Sequence, residues 1–483
     1  MLLRVQNLQS KNMQHSLPRD LLLTFLLFSS IFSASHACNQ IDRNYLLPLP
    51  FSTSSPSLNW SATDCCNWKG ISCDHKGRVT HIWLSSKGLR GSVPPYIGNL
   101  TSLSHLNLSH NALSGCLPVR FFSSCNQLEV LDLSNNHLAG DISLLFSSNG
   151  SSEGWPSSIR LVDISNNDVN GIIQYWFLQR AQKLDKLNAG FNSLSGLIPH
   201  VIYSATSLEE ISLPSNNLTS PISNDIVNLT KLTCLELYDI ELSGRLPVDI
   251  GKLNRLKHLL LDTNHLTGSL PPSLMNCTNL MTLNLGLNFF EGDISTFNFS
   301  HLHQLPTLDL WNNKFTGSFP VSLPSCKSMR AIRIARNRLE GQIPPEMVQL
   351  KFLSFLSLSY NRLTNVTGAI NILMRCKSLS ILLLTQNFLH EALPTEDSIV
   401  DFYGFQNLQL LGLDLCQLTG QLPIWLSKLK KLEILNLNAN RITGPIPGWL
   451  STLPRLISLE LSCNLISGEF PKELCALLAL VSE

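Results

Sequence analysis

Three histidines and two aspartates have the residue types that could do chemistry in this chain. His81, His105 and His258 each stand directly before an apolar residue of a leucine-rich stretch, and Asp132 and Asp163 directly follow one. Imidazoles at one recurring position could ligate a metal or act as general bases, and a pair of carboxylates could carry acid–base chemistry. Whether any of them can meet depends on the elements that position them.

Those elements are set by an internal repeat. Leu432 to Pro447 reads LEILNLNANRITGPIP, and Leu456 to Pro471 repeats the same order of leucine, asparagine, glycine and proline positions 24 residues later. The pattern L-x-x-L-x-L-x-x-N-x-L is the signature of a leucine-rich repeat. Its last two leucines alternate with polar residues, which predicts a short strand with leucines pointing inward and the intervening residues facing solvent.

Sixteen repeat units can be counted from Val79 onward by the position that Asn440 occupies. Thirteen units have Asn there, and the others have Lys87, Ile240 and Cys416. Parallel strands from successive units predict one curved sheet with a concave face, and the Asn amides predict a ladder that bonds the backbone of adjacent coils. The predicted fold class is α/β, a right-handed leucine-rich-repeat solenoid that occupies residues 79–483 after an N-terminal cap at 38–78.

The same register argues against catalysis. His105 and His258 fall in units two and eight, which lie roughly 29 Å apart at ~4.8 Å per strand. They therefore cannot share a metal or a catalytic triad. Asp132 and Asp163 are neighbours across strands, but an open sheet surface offers no pocket that excludes water. We predict no catalytic residue, no metal site and no cofactor.

A recognition surface is the alternative that the pattern favours. Exposed aromatic and arginine side chains are the usual anchors of an interface, and Arg333 and Arg336 could receive an acidic or sulfated group. The competing interpretation is a surface that is merely solvated or covered by glycans. The predicted ligand-binding residues are Glu236, Tyr238, Asp262, Trp311, Arg333 and Arg336.

Four cysteines cluster before the repeats, in and near the stretch DCCNWKGISCD. Cys38, Cys65, Cys66 and Cys73 allow three disulfide connectivities. Adjacent Cys65 and Cys66 are poor partners for each other, which favours Cys38–Cys65 with Cys66–Cys73. A metal site is the rival interpretation, and an exported protein favours disulfides. Their predicted role is to close the first repeat, which has no preceding neighbour to cover its apolar end.

The N-terminal segment predicts export. Basic residues precede the apolar run Leu21 to Phe32, and Ser35-His36-Ala37 offers a cleavage site before Cys38. We interpret residues 1–37 as a signal peptide, with a buried helix or an uncleaved anchor as the alternative. The run is short for a membrane span and no later run is longer. The expected location is the extracellular space, or the plasma membrane if the full gene product adds a membrane helix.

Charged residues make up only 14% of the chain and the formal net charge is +1, so nothing indicates binding to nucleic acid or anionic lipid.

Glycosylation sequons agree with the predicted export of the chain. Nine N-x-S/T triplets predict a glycosylated surface, at Asn59, Asn99, Asn107, Asn149, Asn217, Asn228, Asn276, Asn298 and Asn365.

The second half of each repeat resembles a plant-specific variant. It reads LSGRLP at Leu242 to Pro247, LEGQIP at Leu339 to Pro344 and ITGPIP at Ile442 to Pro447. These units resemble the extracellular leucine-rich repeats of plant receptor kinases, receptor-like proteins and polygalacturonase-inhibiting proteins. The stretch DCCNWKGISCD likewise resembles the N-terminal domain of plant repeats, so the resemblance extends over residues 38–483.

Three stretches are similar to receptors for tyrosine-sulfated peptides, including the phytosulfokine receptors. They are NWSATDCCNWKGISCD, FPKELCALLAL and the irregular segment from Asn387 to Leu426. That resemblance implies an ectodomain that binds a peptide ligand or a protein co-receptor on its concave face. The family also carries a membrane helix and a cytoplasmic kinase. The chain contains no kinase glycine-rich loop, VAIK, HRD or DFG sequence, so we carry over no kinase activity.

Two functional hypotheses follow. The first is a truncated ectodomain of a peptide-hormone receptor, which recognises a peptide or a co-receptor and catalyses nothing. The second is a freestanding secreted binder or inhibitor that resembles the polygalacturonase inhibitors. A non-functional fragment stands against both, because unit sixteen lacks a closing cap with paired cysteines.

Overall fold

The computed structural model describes residues 37–49, 52–53, 58, 60–116, 125–144, 157–400 and 404–476. The predicted signal peptide, apart from its last residue, and the sequon residues Asn59 and Asn149 lie outside the described residues.

Seventeen strands form one long, open sheet. Ile71–Cys73 pairs antiparallel with the strand of unit one, and every later strand pairs parallel with that of the preceding unit. All sixteen predicted units contribute one strand each, which confirms the predicted solenoid. In order, these strands are Val79–Trp83, His105–Asn107, Val130–Asp132, Leu161–Asp163, Lys186–Asn188, Glu210–Ser212, Cys234–Glu236, His258–Leu260, Thr282–Asn284, Thr307–Asp309, Ala331–Arg333, Phe355–Ser357, Ile381–Leu383, Leu410–Gly412, Ile434–Asn436 and Ser458–Glu460.

A second sheet forms where the L-x-G-x-I-P half of each repeat begins. Its glycines allow a left-handed turn: Gly268 has a φ of 78°, and a Cβ there would lie 2.9 Å from the Arg245 side chain. Eleven strands pair in one sheet, Ser52–Thr53, Leu89–Gly91, Ala112–Cys116, His137–Asp141, Asp168–Ile172, Ser193–Gly196, Asn217–Pro221, Glu241–Gly244, His265–Gly268, Phe289–Asp293 and Lys314–Thr316. Two further pairs are Glu340–Gly341 with Arg362–Leu363, and Thr443–Gly444 with Leu465–Ile466.

Helical segments are short. The α-helices are α1 (Gln40–Leu46), α2 (Tyr175–Arg180) and α3 (Val366–Leu373). Most other units have a 3₁₀ turn on the side opposite the long sheet, often begun by proline, which needs no backbone donor there. The 3₁₀ segments are Cys65–Asn67, Pro95–Asn99, Ile142–Leu144, His200–Ser204, Asn224–Asn228, Ile250–Lys252, Pro272–Asn276, Ile294–Thr296, Phe299–His301, Leu323–Ser325, Pro345–Gln349, Glu396–Ser398, Ile424–Lys428, Gly448–Thr452 and Lys472–Ala476. Within the described ranges, none of the helices has the length and apolarity of a membrane span.

The core is one continuous column of leucines between the two sheets. In unit eight, Leu256, Leu259, Leu261, Leu266 and Leu270 are all fully buried. Each such side chain contributes about 1.5–3 kcal/mol by leaving water. Because one unit cannot cover its own apolar edge, this stabilisation depends on the neighbouring units.

The asparagine ladder is present and is confirmed in detail by Asn264. Its amide nitrogen donates to the carbonyl of Leu237 in the preceding unit at 2.8 Å, and to its own Leu261 at 3.1 Å. Its oxygen accepts from the backbone N–H of Leu242 at 2.9 Å. All thirteen ladder asparagines donate to the preceding unit in this way.

One backbone feature escaped the sequence analysis. The residue directly before the ladder position has a positive φ in all sixteen units, from 49° at Ser215 to 57° at Tyr360 and Leu415. Thr263, Leu287 and Arg336 are among them, so the left-handed turn is imposed by the coil and not by a glycine or asparagine preference. The turn places these side chains at the edge of the long sheet.

The cap is held by two disulfides, Cys38–Cys65 and Cys66–Cys73, with Cα–Cα distances of 5.2 and 5.5 Å. Its four thiols are thereby used and cannot act as metal-binding thiolates. Buried Asp42 joins the cap to the first strand of the repeats, since it accepts from Arg78 Nε and from the backbone N–H of Val79, both at 2.9 Å.

Other cysteines are free and mostly buried. Cys326 shows the common arrangement, in which the S–H donates to the Phe299 carbonyl of the preceding unit at 3.1 Å. The same contact recurs at longer distance for Cys277 and Cys376.

Candidate functional site

The solvent-facing residues of the long sheet in units six to twelve, from Glu210 to Tyr360, form what we call the strand surface. In unit eight, buried Leu259 lies between His258 and Leu260, and Asp262 follows two residues later. Since successive strands are in register, equivalent positions form columns with a spacing of ~4.8 Å. The surface is an open face of the sheet.

Units seven and eight supply the acidic part. Glu236 accepts from the Ser212 hydroxyl at 2.8 Å, and Asp262 accepts from the Asn284 amide at 2.8 Å. Burial raises the pKa of Asp262 to about 6, and the neighbouring carboxylates add to the rise. Tyr238 lies between them half-buried, and burial followed by the charge of Glu236 raises the pKa of its phenol.

Units ten and eleven supply the aromatic and basic part. The Arg333 guanidinium lies 4.3 Å from the centroid of the Trp311 ring. Its Nη1 donates to Asp309 Oδ2 at 3.2 Å, and Asp309 Oδ1 accepts from the backbone N–H of Trp311 at 2.9 Å. These three residues form one fixed cluster, in which Arg333 already has an acidic partner.

Arg336 is different. It is exposed at the edge of the sheet, and its guanidinium lies 4.6 Å from the centroid of the Tyr360 ring. Among the described residues, no carboxylate lies within 4.0 Å of it. Arg336 is therefore the predicted basic residue that is open to an anionic group.

The six predicted residues thus fall into two groups and not one. Glu236, Tyr238 and Asp262 lie in units seven and eight, and the other three in units ten and eleven. Between them, unit nine presents Gly286, which has no side chain to separate Asp262 from Trp311 along their column. A Cβ at this glycine would lie 3.3 Å from Asp309 Oδ1, so the position has little room for a larger residue.

The sequence analysis missed Tyr360 as a member of the site. It occupies the same left-handed position before the ladder asparagine as Arg336 one unit earlier. That column equivalence was the signal that could have found it. Glu210 was also missed, and it pairs with Lys186 at 3.0 Å at the start of the surface.

Two of the three histidines do come together. The rings of His81 and His105 stack with centroids 4.3 Å apart, and Trp83 lies 6.1 Å from the first of them. Burial lowers the pKa of His81, and the neighbouring imidazole lowers it further. His258 lies apart, beside the Thr282 hydroxyl. Asp132 and Asp163 lie on adjacent strands as predicted. Asp132 accepts from the side-chain amide of Asn107, and Asp163 accepts from that of Asn188.

Seven predicted sequons lie in the described residues. Asn99, Asn217, Asn228, Asn276, Asn298 and Asn365 are exposed. Asn107 is half-buried in the long sheet, where its amide donates to Asp132 at 2.8 Å. None of the seven lies on the strand surface of units six to twelve, so glycans at the exposed sites would leave it accessible.

Comparison with known families agrees with the geometry. The model for "Leucine rich repeat N-terminal domain" matches residues 42–74 and the model for "Leucine rich repeat" matches residues 79–138. A second repeat model, "Leucine Rich Repeat", matches residues 127–150, 255–277, 304–326, 431–453 and 455–477.

Similar plant proteins extend the match to most of the chain. Receptor-like protein 3 of Arabidopsis thaliana is 42% identical over 468 residues, which cover 85% of this chain and 62% of that protein. Phytosulfokine receptor 1 of the same species is 43% identical over 84 residues, 17% of this chain and 8% of the receptor. The chain therefore spans less than two thirds of these relatives.

Solved structures include two ectodomains with peptide ligands. The Arabidopsis receptor kinase HAESA ectodomain, in complex with an IDA peptide hormone, is 30% identical with a TM-score of 0.66 and covers 91% of this chain and 80% of that one. The plant peptide hormone receptor RGFR1, in complex with RGF2, is 29% identical with a TM-score of 0.71. The match covers 81% of this chain and 64% of the RGFR1 chain. The chain belongs to the plant leucine-rich-repeat receptor family, and the part of that family that it matches is the repeat ectodomain.

Proposed function

We propose that the chain is an extracellular recognition module that binds a peptide on the strand surface and performs no catalysis. The observation that carries this proposal is the cluster of Trp311, Arg333 and Asp309 on the open strand surface. A large aromatic ring backed by a fixed cation is the kind of anchor that dominates interfaces. The two solved relatives bound to peptide hormones support the same class of ligand.

The dimensions of the surface suit an extended peptide. Units six to twelve cover six strand spacings, roughly 29 Å at ~4.8 Å each, which an extended chain crosses in about nine residues at ~3.3 Å per residue. Arg336 would pair with a carboxylate or sulfate of the peptide, because it has no acidic partner of its own. Near the other end of the peptide, Asp262 would accept from a hydrogen-bond donor or pair with a cation.

The test is a binding screen with the chain secreted from plant cells. We would immobilise it and offer random twelve-residue peptides, in one pool with tyrosine and in another with sulfated tyrosine. Selected peptides would then be titrated against the wild type, Trp311→Ala and Trp83→Ala. Trp83 is the matched control, because it is an exposed tryptophan of the same sheet in unit one.

We expect Trp311→Ala to weaken binding at least tenfold, which corresponds to ~1.4 kcal/mol, while Trp83→Ala changes it less than twofold. Equal losses in both variants, or no selected peptide from either pool, would overturn the proposal. A parallel assay of a pectin-degrading enzyme checks the second hypothesis. Inhibition of that enzyme without peptide binding would replace the receptor interpretation by a secreted inhibitor.

A further inference from the structure

A second concave feature borders the strand surface. Along the edge where the left-handed turns pass into the second sheet, a cavity of about 460 Å³ opens across units six to ten. We call it the lateral groove. The residues that give it character are Asp239, Ile240, Glu241, His265, Leu287 and Phe289.

The middle of the lateral groove is apolar. Ile240 stands at a ladder position, where thirteen other units present an asparagine amide to the backbone. Phe289 is 43% exposed although it is a large apolar side chain, and the His265 ring stacks against it at 5.9 Å. Leu287 lies beside them in a left-handed turn with a φ of 51°. Such a surface gains free energy when an apolar side chain covers it.

The two ends of the groove have opposite charge. At the unit-seven end, Asp239 is exposed and accepts from the Ser215 hydroxyl at 2.8 Å, and Glu241 is exposed. At the unit-ten end, the Lys314 ammonium lies 5.0 Å from the centroid of the Phe289 ring.

The positive end continues along the solenoid. Arg338 and Arg362 occupy the same repeat position as Lys314 in units eleven and twelve, and all three are exposed. Within the described residues, no carboxylate lies within 4.0 Å of any of the three cations. Glu291 and Glu340 follow on the adjacent strands, at backbone positions paired with Lys314 and Arg362, without forming ion pairs.

The distance between the charged ends defines the length of a ligand. From Glu241 in unit seven to Arg338 in unit eleven there are four unit spacings, about 19 Å at ~4.8 Å each. An extended peptide rises ~3.3 Å per residue, so six residue steps cover that distance. Charges at the first and seventh residue would then meet both ends, with the fourth residue over Phe289.

We propose that the lateral groove is a second peptide-binding site, whose occupant is an extended segment with a basic residue and an acidic residue six positions apart and an apolar side chain between them. The basic residue pairs with Asp239 and Glu241. The acidic residue pairs with Lys314 and Arg338, and the apolar side chain packs on Phe289 beside Leu287. This site borders the strand surface at the left-handed turns, uses none of the six residues predicted there, and goes beyond the function proposed for that surface.

The test uses blocked heptapeptides and the full chain, titrated by saturation-transfer NMR. The probes are Arg-Gly-Ser-Phe-Ser-Gly-Glu, the same sequence in reverse order, and a neutral version with glutamine at both ends. We expect one of the charged peptides to bind at least tenfold tighter than the neutral one. Raising the salt concentration should reduce that difference, because the charged ends are exposed.

Variants locate the site. Arg338→Glu should remove the tenfold advantage, and Arg441→Glu should not, since Arg441 is an exposed arginine at the same repeat position in unit fifteen, outside the groove. A heptapeptide with arginine at both ends should then favour the Arg338→Glu chain. Equal binding of charged and neutral peptides, or equal effects of the two variants, would overturn the proposal. Trp311→Ala leaves the groove intact. The groove proposal can therefore be wrong while the strand surface still binds its peptide, and the strand-surface proposal can be wrong while the groove still binds the charged heptapeptide.

Discussion

The guanidinium of Arg333 lies over Trp311, 4.3 Å from the ring centroid, while its Nη1 donates to Asp309 Oδ2 at 3.2 Å. One carboxylate therefore positions both members of the pair, since Asp309 also accepts from the Trp311 backbone N–H. The cation is oriented before any ligand arrives, which lowers the entropy lost on binding. It is also partly neutralised, which limits its attraction for an anion.

Removing that carboxylate should strengthen the attraction for an anionic ligand. In Asp309→Asn the amide oxygen can still accept from the Trp311 backbone, but Arg333 loses its ion pair. We expect a sulfated peptide selected on the wild type to bind several-fold more tightly to this variant, by calorimetry at low salt.

The matched control is Asp132→Asn, a carboxylate in the same column of unit three that accepts from the Asn107 amide. It should leave the affinity unchanged. If both variants gain equally, the effect reflects net charge alone, and the specific role assigned to Asp309 is wrong.

The ladder makes a prediction about stability. Asn264→Ala leaves the Leu237 carbonyl and the Leu242 N–H without their partner in a buried environment. We expect a loss of roughly 2–3 kcal/mol in the free energy of unfolding, measured by urea denaturation. Asn254→Ala, at an exposed asparagine of the same unit boundary, should stay within about 0.5 kcal/mol of the wild type. A loss as large in the control would show that the ladder is not the cause.

The ladder was predictable because it is a local pattern repeated sixteen times. Each leucine, asparagine and glycine position has one task in every coil, so reading one unit such as Leu432 to Pro447 predicts the rest. Contacts between units were less accessible. The partner of Arg333 is Asp309, which lies 24 residues earlier and shares its column, and the sequence analysis placed Arg333 on the surface without identifying this partner.

Asp262 predicts a dependence of stability on pH. Its folded pKa of about 6 lies above the ordinary value of 3.8, so the folded state binds a proton that the unfolded chain has released between these values. The charge on Asp262 therefore costs stability above pH 6, and the cost disappears as the pH falls toward 3.8. Because the carboxylate is partly exposed and screened by solvent, we expect Asp262→Asn to gain about 1 kcal/mol at pH 7.5.

Denaturation of this variant at pH 7.5 and at pH 4 checks the sign, since the gain should vanish at the lower pH. Asn284 can still donate to the new amide oxygen, so the contact is retained. Asp168→Asn, at an exposed carboxylate, is the control. A gain that persists at pH 4 would show that packing and not ionisation is responsible.

The free cysteines predict a labelling pattern. Cys116, Cys463 and Cys475 are exposed, and iodoacetamide at pH 8 should modify them in the native chain. Burial raises the pKa of Cys125, Cys277 and Cys416 to about 12 and of Cys326 and Cys376 to about 11, so these five should react only after unfolding. Peptide mass spectrometry of native and denatured samples distinguishes the two groups. Rapid native labelling of Cys277 or Cys326 would contradict the packing described for the repeat core.

Helix α3 shows where prediction from the sequence stops. It takes the place of a 3₁₀ turn in unit twelve, and its start depends on a residue of the next unit. Glu391 accepts from the backbone N–H groups of Asn365 and Val366 at 2.7 and 2.6 Å. Asn365 also adopts a left-handed φ of 63°. No pattern within Val366–Leu373 encodes a partner 26 residues away, which is why the sequence analysis read only a sequon there.

This contact supplies the last prediction. A carboxylate at a helix start satisfies two donors and opposes the positive end of the helix, so Glu391→Ala should lower the free energy of unfolding by roughly 2 kcal/mol. Glu391→Gln keeps one accepting oxygen without the charge and should lose about half as much. Exposed Glu396 belongs to the same irregular segment, and Glu396→Ala should change little. Hydrogen exchange gives the spatial check: the amides of α3 should lose protection in Glu391→Ala while those of the unit-eight strand keep theirs. Uniform loss across both regions would mean that Glu391 supports the whole solenoid and not this helix.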